Sequence, residues 1–466
     1  MNVKKNIAPA SATLAFLSAF SFFQLFYPYH LMRREQLSLF LYDWDYIARV
    51  YSGTGGMARF IGDFLTQFFY FPLAGPLAVS LILLGIAIVS YKIARKFLNQ
   101  SIALSIAAAV FAWSFLRECG NWYDITYSIS VLGYLTMVLA LTSLGKNWKA
   151  IIPGAVVAAS GIFLLGSPYQ KESGKLWAFP SLSQEHVISL DVESARNHWT
   201  KVQKLASKKD YHFDEATYYY NLANAQKGQL SEKLLQHSQH YTFGLFRWVY
   251  ETESVFTITA AGEVWFHLGD MTLAEQSAMV AMEFSPKHTG ARFLVRLAQI
   301  ALVNGDDGSA VKYLGMLSKT LNYRNWALKM MPGNHDRGTE DWLAHARSLQ
   351  SKIDFVHGDG DKRPVLRALL ETNPENDMAR EYLLCFDLLT FDIESFMADY
   401  ESRKIQSEIY QQAVLIWASY HNMPIGLIAK QYGISESMIG KFNHFSENPE
   451  QYRNSYWYMY MLEQQQ

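Results

Sequence analysis

Cysteine is nearly absent: Cys119 and Cys385 are the only two, and they lie far apart along the chain. That spacing excludes both a disulfide framework and a cysteine metal centre. A net charge of one sign is also lacking. With 41 Lys and Arg against 42 Asp and Glu, the formal charge of −1 gives no global field to draw in nucleic acid. Runs alternating apolar and polar at period two are missing, which excludes a strand-based fold. Up to Gly166, charge itself is sparse, and beyond it charge is dense. The chain therefore reads as two materials joined end to end, residues 1–168 and residues 169–466.

Long apolar runs fill the first part. A spanning helix needs about 20 mostly apolar residues, because backbone in hydrocarbon must satisfy its own hydrogen bonds. Pro9–Tyr29, Tyr70–Ser90, Ile102–Leu116, Ile125–Leu144 and Ala150–Gly166 approach that length, the third and fifth being short. The count is about five, bounded by four and six. Lys4 and Lys5 precede the first run, which ends in Phe22, Phe23, Phe26, Tyr27 and Tyr29 and reads as an uncleaved anchor with an interfacial aromatic belt. Lys92, Arg95 and Lys96 follow the second run, and Lys146 and Lys149 follow the fourth. Positive charge is retained in the cytoplasm, so these clusters mark one side, and an odd number of spans puts the C-terminal domain on the other. The loop at 30–69 is mixed in charge, and its Leu37, Phe40, Leu41 and Tyr42 suit a helix lying in the interface.

The second part reads as helix after helix. Thr257–His267, a turn at Gly269-Asp270 and Leu273–Phe284 form one pair. The pattern recurs at Ala291–Val303, Asn304-Gly305-Asp306 and Ala310–Leu321, with Tyr218–Ala225 before it and Asp377–Leu389 and Ile393–Tyr400 after it. A period of roughly 34 residues, with Ala223, Ala274, Ala278 and Ala281 at helix contacts, is a degenerate tetratricopeptide pattern. The expected fold class is all-α: a polytopic transmembrane bundle, then a soluble α-solenoid whose concave face is open to a partner.

Certain strings are more specific. Phe23-Gln24-Leu25-Phe26-Tyr27-Pro28-Tyr29-His30, Gly55-Gly56-Met57-Ala58 running into Ile61-Gly62-Asp63-Phe64-Leu65-Thr66-Gln67-Phe68-Phe69-Tyr70, and Leu222-Ala223-Asn224-Ala225-Gln226-Lys227-Gly228 resemble a Bacteroidetes membrane-protein family known only as domain of unknown function 6057. Trp265-Phe266-His267-Leu268-Gly269 and Glu371-Thr372-Asn373-Pro374 extend the resemblance into the helical part. It implies an inner-membrane protein with a tetratricopeptide-like C-terminal domain and no assigned activity.

Motifs with chemical overtones are weak one by one. Gly333-Asn334-His335-Asp336 matches a metallophosphoesterase string, but His357, Asp359 and Asp361 follow it instead of preceding it, and no sheet is expected to hold ligands. Ile428–Ile439 resembles a helix-turn-helix with Ser435 as N-cap, but offers only Lys441 to a phosphate backbone. Of His198, His212, His237, His240 and His267, only His237 and His240 stand three apart, where a helix would put them on roughly one face. The run Tyr452, Tyr456, Trp457, Tyr458 and Tyr460 reads as a last helix packed on its predecessors. Neither a cofactor nor a metal is called for.

Asp43-Trp44-Asp45 sits just after the first span, where membrane glycosyltransferases acting on lipid-linked sugar commonly hold an acidic residue, and this is the alternative, enzymatic expectation. Trp44 and Tyr46, with Tyr42 and Tyr51, read as headgroup-level anchors. The preferred expectation is an anchored scaffold that binds a protein partner of a cell-envelope complex and the lipid bilayer, with no nucleic acid. Asn221, Asn224, Trp265 and His267 are the candidate contact residues of its helical domain. A transporter is disfavoured, because the spans carry almost no ionisable residues to line a path.

Overall fold

The computed structural model describes residues 3–121, 123–143, 151–168, 178–208, 214–247, 254–352 and 360–465. Lys146, Lys149, His212, His357 and Asp359 lie outside them. Among the described residues there are α-helices and short 3-10 turns and no strand. The helices are α1 (Val3–Leu25), α2 (Pro28–Gln36), α3 (Trp44–Tyr51), α4 (Gly56–Thr66), α5 (Ala74–Phe97), α6 (Gln100–Glu118), α7 (Ile125–Ser143), α8 (Ile151–Leu165), α9 (Leu182–Ala195), α10 (Trp199–Ala206), α11 (Asp214–Ala225), α12 (Leu230–Lys233), α13 (Val255–Leu268) and α14 (Met271–Glu283). They continue with α15 (Ala291–Asn304), α16 (Asp307–Leu317), α17 (Arg324–Met330), α18 (Arg337–Leu349), α19 (Arg363–Thr372), α20 (Asp377–Leu389), α21 (Ile393–Ser402), α22 (Glu408–Tyr420), α23 (Ile425–Tyr432), α24 (Glu436–Glu447) and α25 (Tyr456–Glu463). Contacts divide the chain into two compact units: Met1–Val192 with Met282–Ala301 and Asp306–Asp336, and Glu193–Ala281 with Leu302–Gly305 and Arg337–Gln466. The expected boundary at 168 thus falls inside the first unit, which also gathers two later stretches.

In the first unit four helices are long and apolar enough to cross a membrane: Ile7–Leu25, Ala74–Phe97, Gln100–Glu118 and Ile125–Ser143. The fifth apolar helix, Pro153–Leu165, is shorter. Helix α5 is central and packs on α1, α6 and α7. Phe23, Val79, Leu83 and Ile86 are fully buried there. Between apolar helices in lipid this packing stabilises by close contact, since hydrocarbon offers no hydrophobic drive. Polar ends are answered locally: Asn99 caps α6 by accepting from the Ile102 N–H at 3.0 Å. Lys96 at the end of α5 donates to Thr142 and Ser143 at the end of α7.

The loop at 30–69 forms a short helical hairpin. Residues 38–43 are non-helical, so the interfacial helix expected around Phe40 begins only at Trp44. Its start is set by Asp43, whose carboxylate accepts from the Asp45 and Tyr46 N–H groups. The side chains of 39 and 40 turn inwards, and Phe40 packs edge-on to Tyr46 and Phe64. Helix α3 runs to a turn at 52–55 and α4 returns along α7 and α8.

At that turn two chain segments meet closely. The Gly55 N–H donates to the Phe163 carbonyl at 2.7 Å. Ser130 Oγ and Tyr134 Oη of α7 donate to the Leu165 and Gly166 carbonyls, each at 2.7 Å. The C-terminal carbonyls of α8, which have no partner inside their own helix, are thereby satisfied. Because Ser130 lies five residues into α7, the junction sits roughly 8 Å along that helix from its first residue. Helix α8 ends where α4 begins, so the negative end of one dipole meets the positive end of the other. Both glycines have left-handed backbones, φ 79° at Gly55 and 64° at Gly166. A Cβ on Gly166 would lie 2.7 Å from Gly55 Cα.

The second unit is a stack of helices. In the run α19 to α23, each helix packs on the next. Helix α12 also packs on α20 and α22, and α25 on α22, contacts that a strict nearest-neighbour array lacks. Every residue of α20 from Ala379 to Leu389 is buried. Tyr456 and Trp457 are buried too, with Trp457 Nε1 donating to the Gln412 carbonyl at 2.9 Å, as expected of a packed last helix. The helix-turn-helix string folds as α23, a left-handed Gly433 and α24, with Ser435 capping through the Met438 N–H at 3.2 Å.

Gly166→Ala is expected to lower the thermal midpoint in mild detergent, since the left-handed backbone alone costs roughly 1–2 kcal/mol and the approach to Gly55 adds to it. Gly154→Ala in α8, where a Cβ would find Leu141 Cδ2 at an ordinary 3.5 Å, should leave the midpoint unchanged or raised.

Candidate functional site

At the end where α1 and α6 finish and α5 and α7 begin, the first unit buries an unusual density of charge. Arg34 on α2 donates to Glu118 Oε2 at 2.7 Å and to the Glu118 and Gly120 carbonyls at 2.6 and 3.1 Å. The other Glu118 oxygen accepts from Ser128 at 2.6 Å. His30 Nε2 lies 2.9 Å from the Gly120 carbonyl, and burial, followed by the Arg34 charge, holds its pKa well below the usual imidazole value. The imidazole is therefore neutral. Helix α2 begins without a capping side chain of its own, and Glu185 supplies one by accepting from the Tyr29 and His30 N–H groups at 2.7 and 3.1 Å. Burial nevertheless pushes the Glu185 carboxyl up to about 8, against those two hydrogen bonds.

One turn away, a single ammonium serves two carboxylates. Lys287 Nζ lies 2.5 Å from Asp63 of α4 and 2.6 Å from Asp124, which precedes α7. Asp124 also accepts from the Thr126 N–H at 2.9 Å. Burial opposes ionisation of Asp124, but Lys287 and the Thr126 bonds outweigh it and hold its pKa below the usual carboxylate value. In Asp63 burial wins: its pKa is raised, Lys287 opposing and Asp124 adding to the rise. Tyr46 Oη donates to the Leu39 carbonyl at 2.9 Å and reaches Asp63 Oδ2 at 3.4 Å.

Residues 317–323 are laced into the same region. The Tyr42 N–H donates to the Lys319 carbonyl at 2.7 Å. Asn322 donates to Glu35 at 3.0 Å and to the Gln67 carbonyl at 2.8 Å, and Tyr323 Oη to Glu35 at 2.9 Å. Lys319 Nζ lies 2.5 Å from Asp43. Two small cavities adjoin the cluster: one of about 40 Å³ bordered by Arg34, Asn121, Asp124 and Lys287, and one of about 20 Å³ bordered by Glu35, Asp63 and Tyr323. A water needs roughly 10–15 Å³ of such space, so there is room for one to a few waters and too little for a sugar phosphate. Among the described residues no group of three or more His, Cys, Asp or Glu is placed to hold a metal ion.

Of the residues expected from sequence, Asp43 is a helix cap with a lysine partner, and Asp45 is exposed in the first turn of α3. Trp44 is 80% exposed, whereas Tyr46 turns inward to Asp63. Asn221, Asn224 and Trp265 are interior residues, a correction to the surface role expected of them. Asn221 Nδ2 donates to Gln239 and the Gly244 carbonyl, Asn224 Oδ1 accepts from Gln203, and Trp265 stacks on Phe246 at 4.7 Å. Half-buried His267 meets the Trp199 ring edge-on. His237 and His240 do not share a helical face: both lie at the edges of 3-10 turns, with His237 stacked on Tyr220 at 4.0 Å. Sequence reasoning misses Arg34, Glu118, Asp124, Glu185 and Lys287. The available signal is the placement of Glu118 and Asp124 at the ends of two apolar runs, where an unpaired acid is costly.

The model of a family of unknown function, DUF6057, matches residues 4–170 and 162–463. The chain belongs to this family. No curated protein and no solved structure matches it. For this DUF6057 protein the charge cluster is the candidate site.

Lys287→Met should destabilise by roughly 3 kcal/mol, the low end for breaking a buried ion pair because a quarter of the side chain is accessible, and adding Asp63→Asn and Asp124→Asn should restore most of the loss. Thermal midpoints in detergent check both. For Glu185 the folded pKa of about 8 exceeds the ordinary value of 4.5, so the folded state binds the extra proton and stability falls as pH rises between those values. Glu185→Gln should flatten the slope of midpoint against pH over that window and leave stability higher than the parent's at pH 8.

Proposed function

We propose that the protein is a membrane-anchored scaffold whose second, helical unit binds a protein partner of a cell-envelope complex. The observation that carries this reading is an exposed aromatic edge on α22. Its opposite face, with Tyr410, Ala413, Val414 and Ala418, is buried. Tyr420 is 71% exposed and Leu427 on α23 64%. Trp417 lies alongside with its ring 5.3 Å from His421, and both donate towards Glu394. Tyrosine and tryptophan are the residue types that supply most of the affinity at protein interfaces. The helix stack, with its recurrence of roughly 34 residues, supports a tetratricopeptide-like solenoid as the geometry that presents this edge.

The basic residues at the far ends of α1 and α5, Lys4 and Lys5 on the first and Lys92, Arg95 and Lys96 on the second, support placing that end in the cytoplasm of a bacterial inner membrane. The charge cluster and the segments laced to it then face the periplasm. The spanning helices fix location and the helical unit supplies recognition.

A photo-crosslinking residue at position 420 of the full chain in native membranes should give one envelope protein as adduct, and the same residue at the exposed position 341 should not. Tyr420→Ala should reduce recovery of that protein roughly tenfold or more, at unchanged abundance of the chain. The full chain is needed because 282–301 and 306–336 pack with the membrane helices, so a form ending near Ser167 removes part of the first unit. If no protein is captured, lipid-linked sugar copurifies and Asp43→Asn with Asp45→Asn abolishes function at normal abundance, the scaffold reading is overturned in favour of a glycosyltransferase-like enzyme.

A further inference from the structure

Helices α1, α5 and α6 do not pack evenly along their lengths. At one end Phe22 and Phe23 of α1 meet Phe115 of α6 with ring centroids 5.0 and 5.5 Å apart. Towards the other end the facing residues are small, Ala12 and Ala15 on α1, Ala87 on α5, Ala107 and Ala108 on α6, and they leave a cleft of about 410 Å³. Its few polar groups are mostly turned away: Ser11 and Ser105 donate to carbonyls of their own helices. Tyr91 is the exception, a phenol on the cleft wall whose hydroxyl has no hydrogen-bond partner among the described residues.

Charge lies just beyond. Residues four apart on a helix stand one above the other, so Lys92 follows the cleft residue Ile88, and Arg95 follows Tyr91, one turn nearer the helix end. Both are exposed, and neither has a carboxylate partner among the described residues; Arg95 donates only to the Leu98 carbonyl at 2.8 Å. From the apolar middle outwards, the order is small apolar wall, phenol hydroxyl, two cations. That is the order of an acyl chain, a glycerol ester and a phosphate.

We propose that this cleft binds one anionic phospholipid, with an acyl chain between α1, α5 and α6, the ester region at Tyr91 and the phosphate against Lys92 and Arg95. A zwitterionic lipid leaves the two cations uncompensated. Each cation near a membrane surface favours an anionic headgroup by about fivefold, so the pair sets a preference of roughly 30-fold.

The test is native mass spectrometry of the full chain in mild detergent, titrated with phosphatidylglycerol and, separately, phosphatidylcholine. One phosphatidylglycerol per chain is expected, bound roughly 30-fold more tightly than phosphatidylcholine. Lys92→Gln with Arg95→Gln should remove that preference without moving the thermal midpoint in lipid-free detergent, because both side chains are exposed. Ala108→Leu should narrow the cleft and weaken binding of both lipids. Equal affinity for the two lipids, or phosphatidylglycerol bound as tightly by the Ala108→Leu protein as by the parent, overturns the proposal. So does efficient crosslinking of two copies through Ala12→Cys in native membranes, which would make the cleft a contact between copies of this chain.

Discussion

The Lys287 ammonium stands between carboxylates that the chain supplies 224 and 163 residues earlier, and the arrangement of the first unit depends on it. Asp63 is carried by the returning arm of a short hairpin and Asp124 by the link between two apolar helices. Neither position tolerates an unpaired charge, because both lie beside apolar surface where desolvation is costly. The lysine gives the later stretch 282–301 a reason to belong to the membrane unit in spite of its distance along the chain. Arg34 does the same for the opposite side of the cluster, closing α2 onto the last turn of α6. These pairs stabilise less than their short distances suggest, since much of the Coulomb energy offsets lost hydration. Their larger effect is to leave few other ways of arranging the segments that meet there.

Outwards from that cluster, the first unit is a set of apolar helices with polar chemistry confined to their ends. The spans carry few ionisable groups, and those at the cluster end are paired or stacked. Arg117 lies over the Trp113 and Tyr123 rings at 4.6 and 4.8 Å while donating to the Pro168 carbonyl at 3.0 Å. Cation and ring face together satisfy a guanidinium where water is scarce. The second unit is built differently, with buried tyrosines and amides hydrogen-bonded inside a helical core: Tyr218 Oη, for example, accepts from the Val264 N–H at 3.1 Å.

Much of this is legible in the sequence. Apolar periodicity predicts Asp377–Leu389 to the residue and Ala291–Val303 to within one, and four apolar runs match four long helices, because periodicity and the turn residues Gly269, Asn304 and Gly433 act locally. The third run reads as short because Gln100 and Glu118 interrupt hydropathy without interrupting the helix; Glu118 is tolerated through Arg34, a partner 84 residues away. The hairpin at 43–66 reads as a surface feature, since nothing local in Gly55 announces Gly166. The membrane cluster escapes a sequence reading for the same reason: its members are ordinary acids and bases whose meaning is long-range. His237 and His240 mislead because spacing three apart carries meaning only on a helix, and the chain there makes 3-10 turns.

The junction of α8 with α4 has a consequence for how the protein is made. Residues 43–66 leave the ribosome about a hundred residues before the segment that satisfies them, at a synthesis rate of roughly 5–20 residues per second. During that interval the turn at Gly55 has no Phe163 carbonyl to donate to, and the face of α4 that packs on α7 and α8 has no neighbour. An apolar environment penalises an unpaired backbone N–H, so this turn is completed only after α8 has been made. An early segment thus takes its last hydrogen bond from a late one.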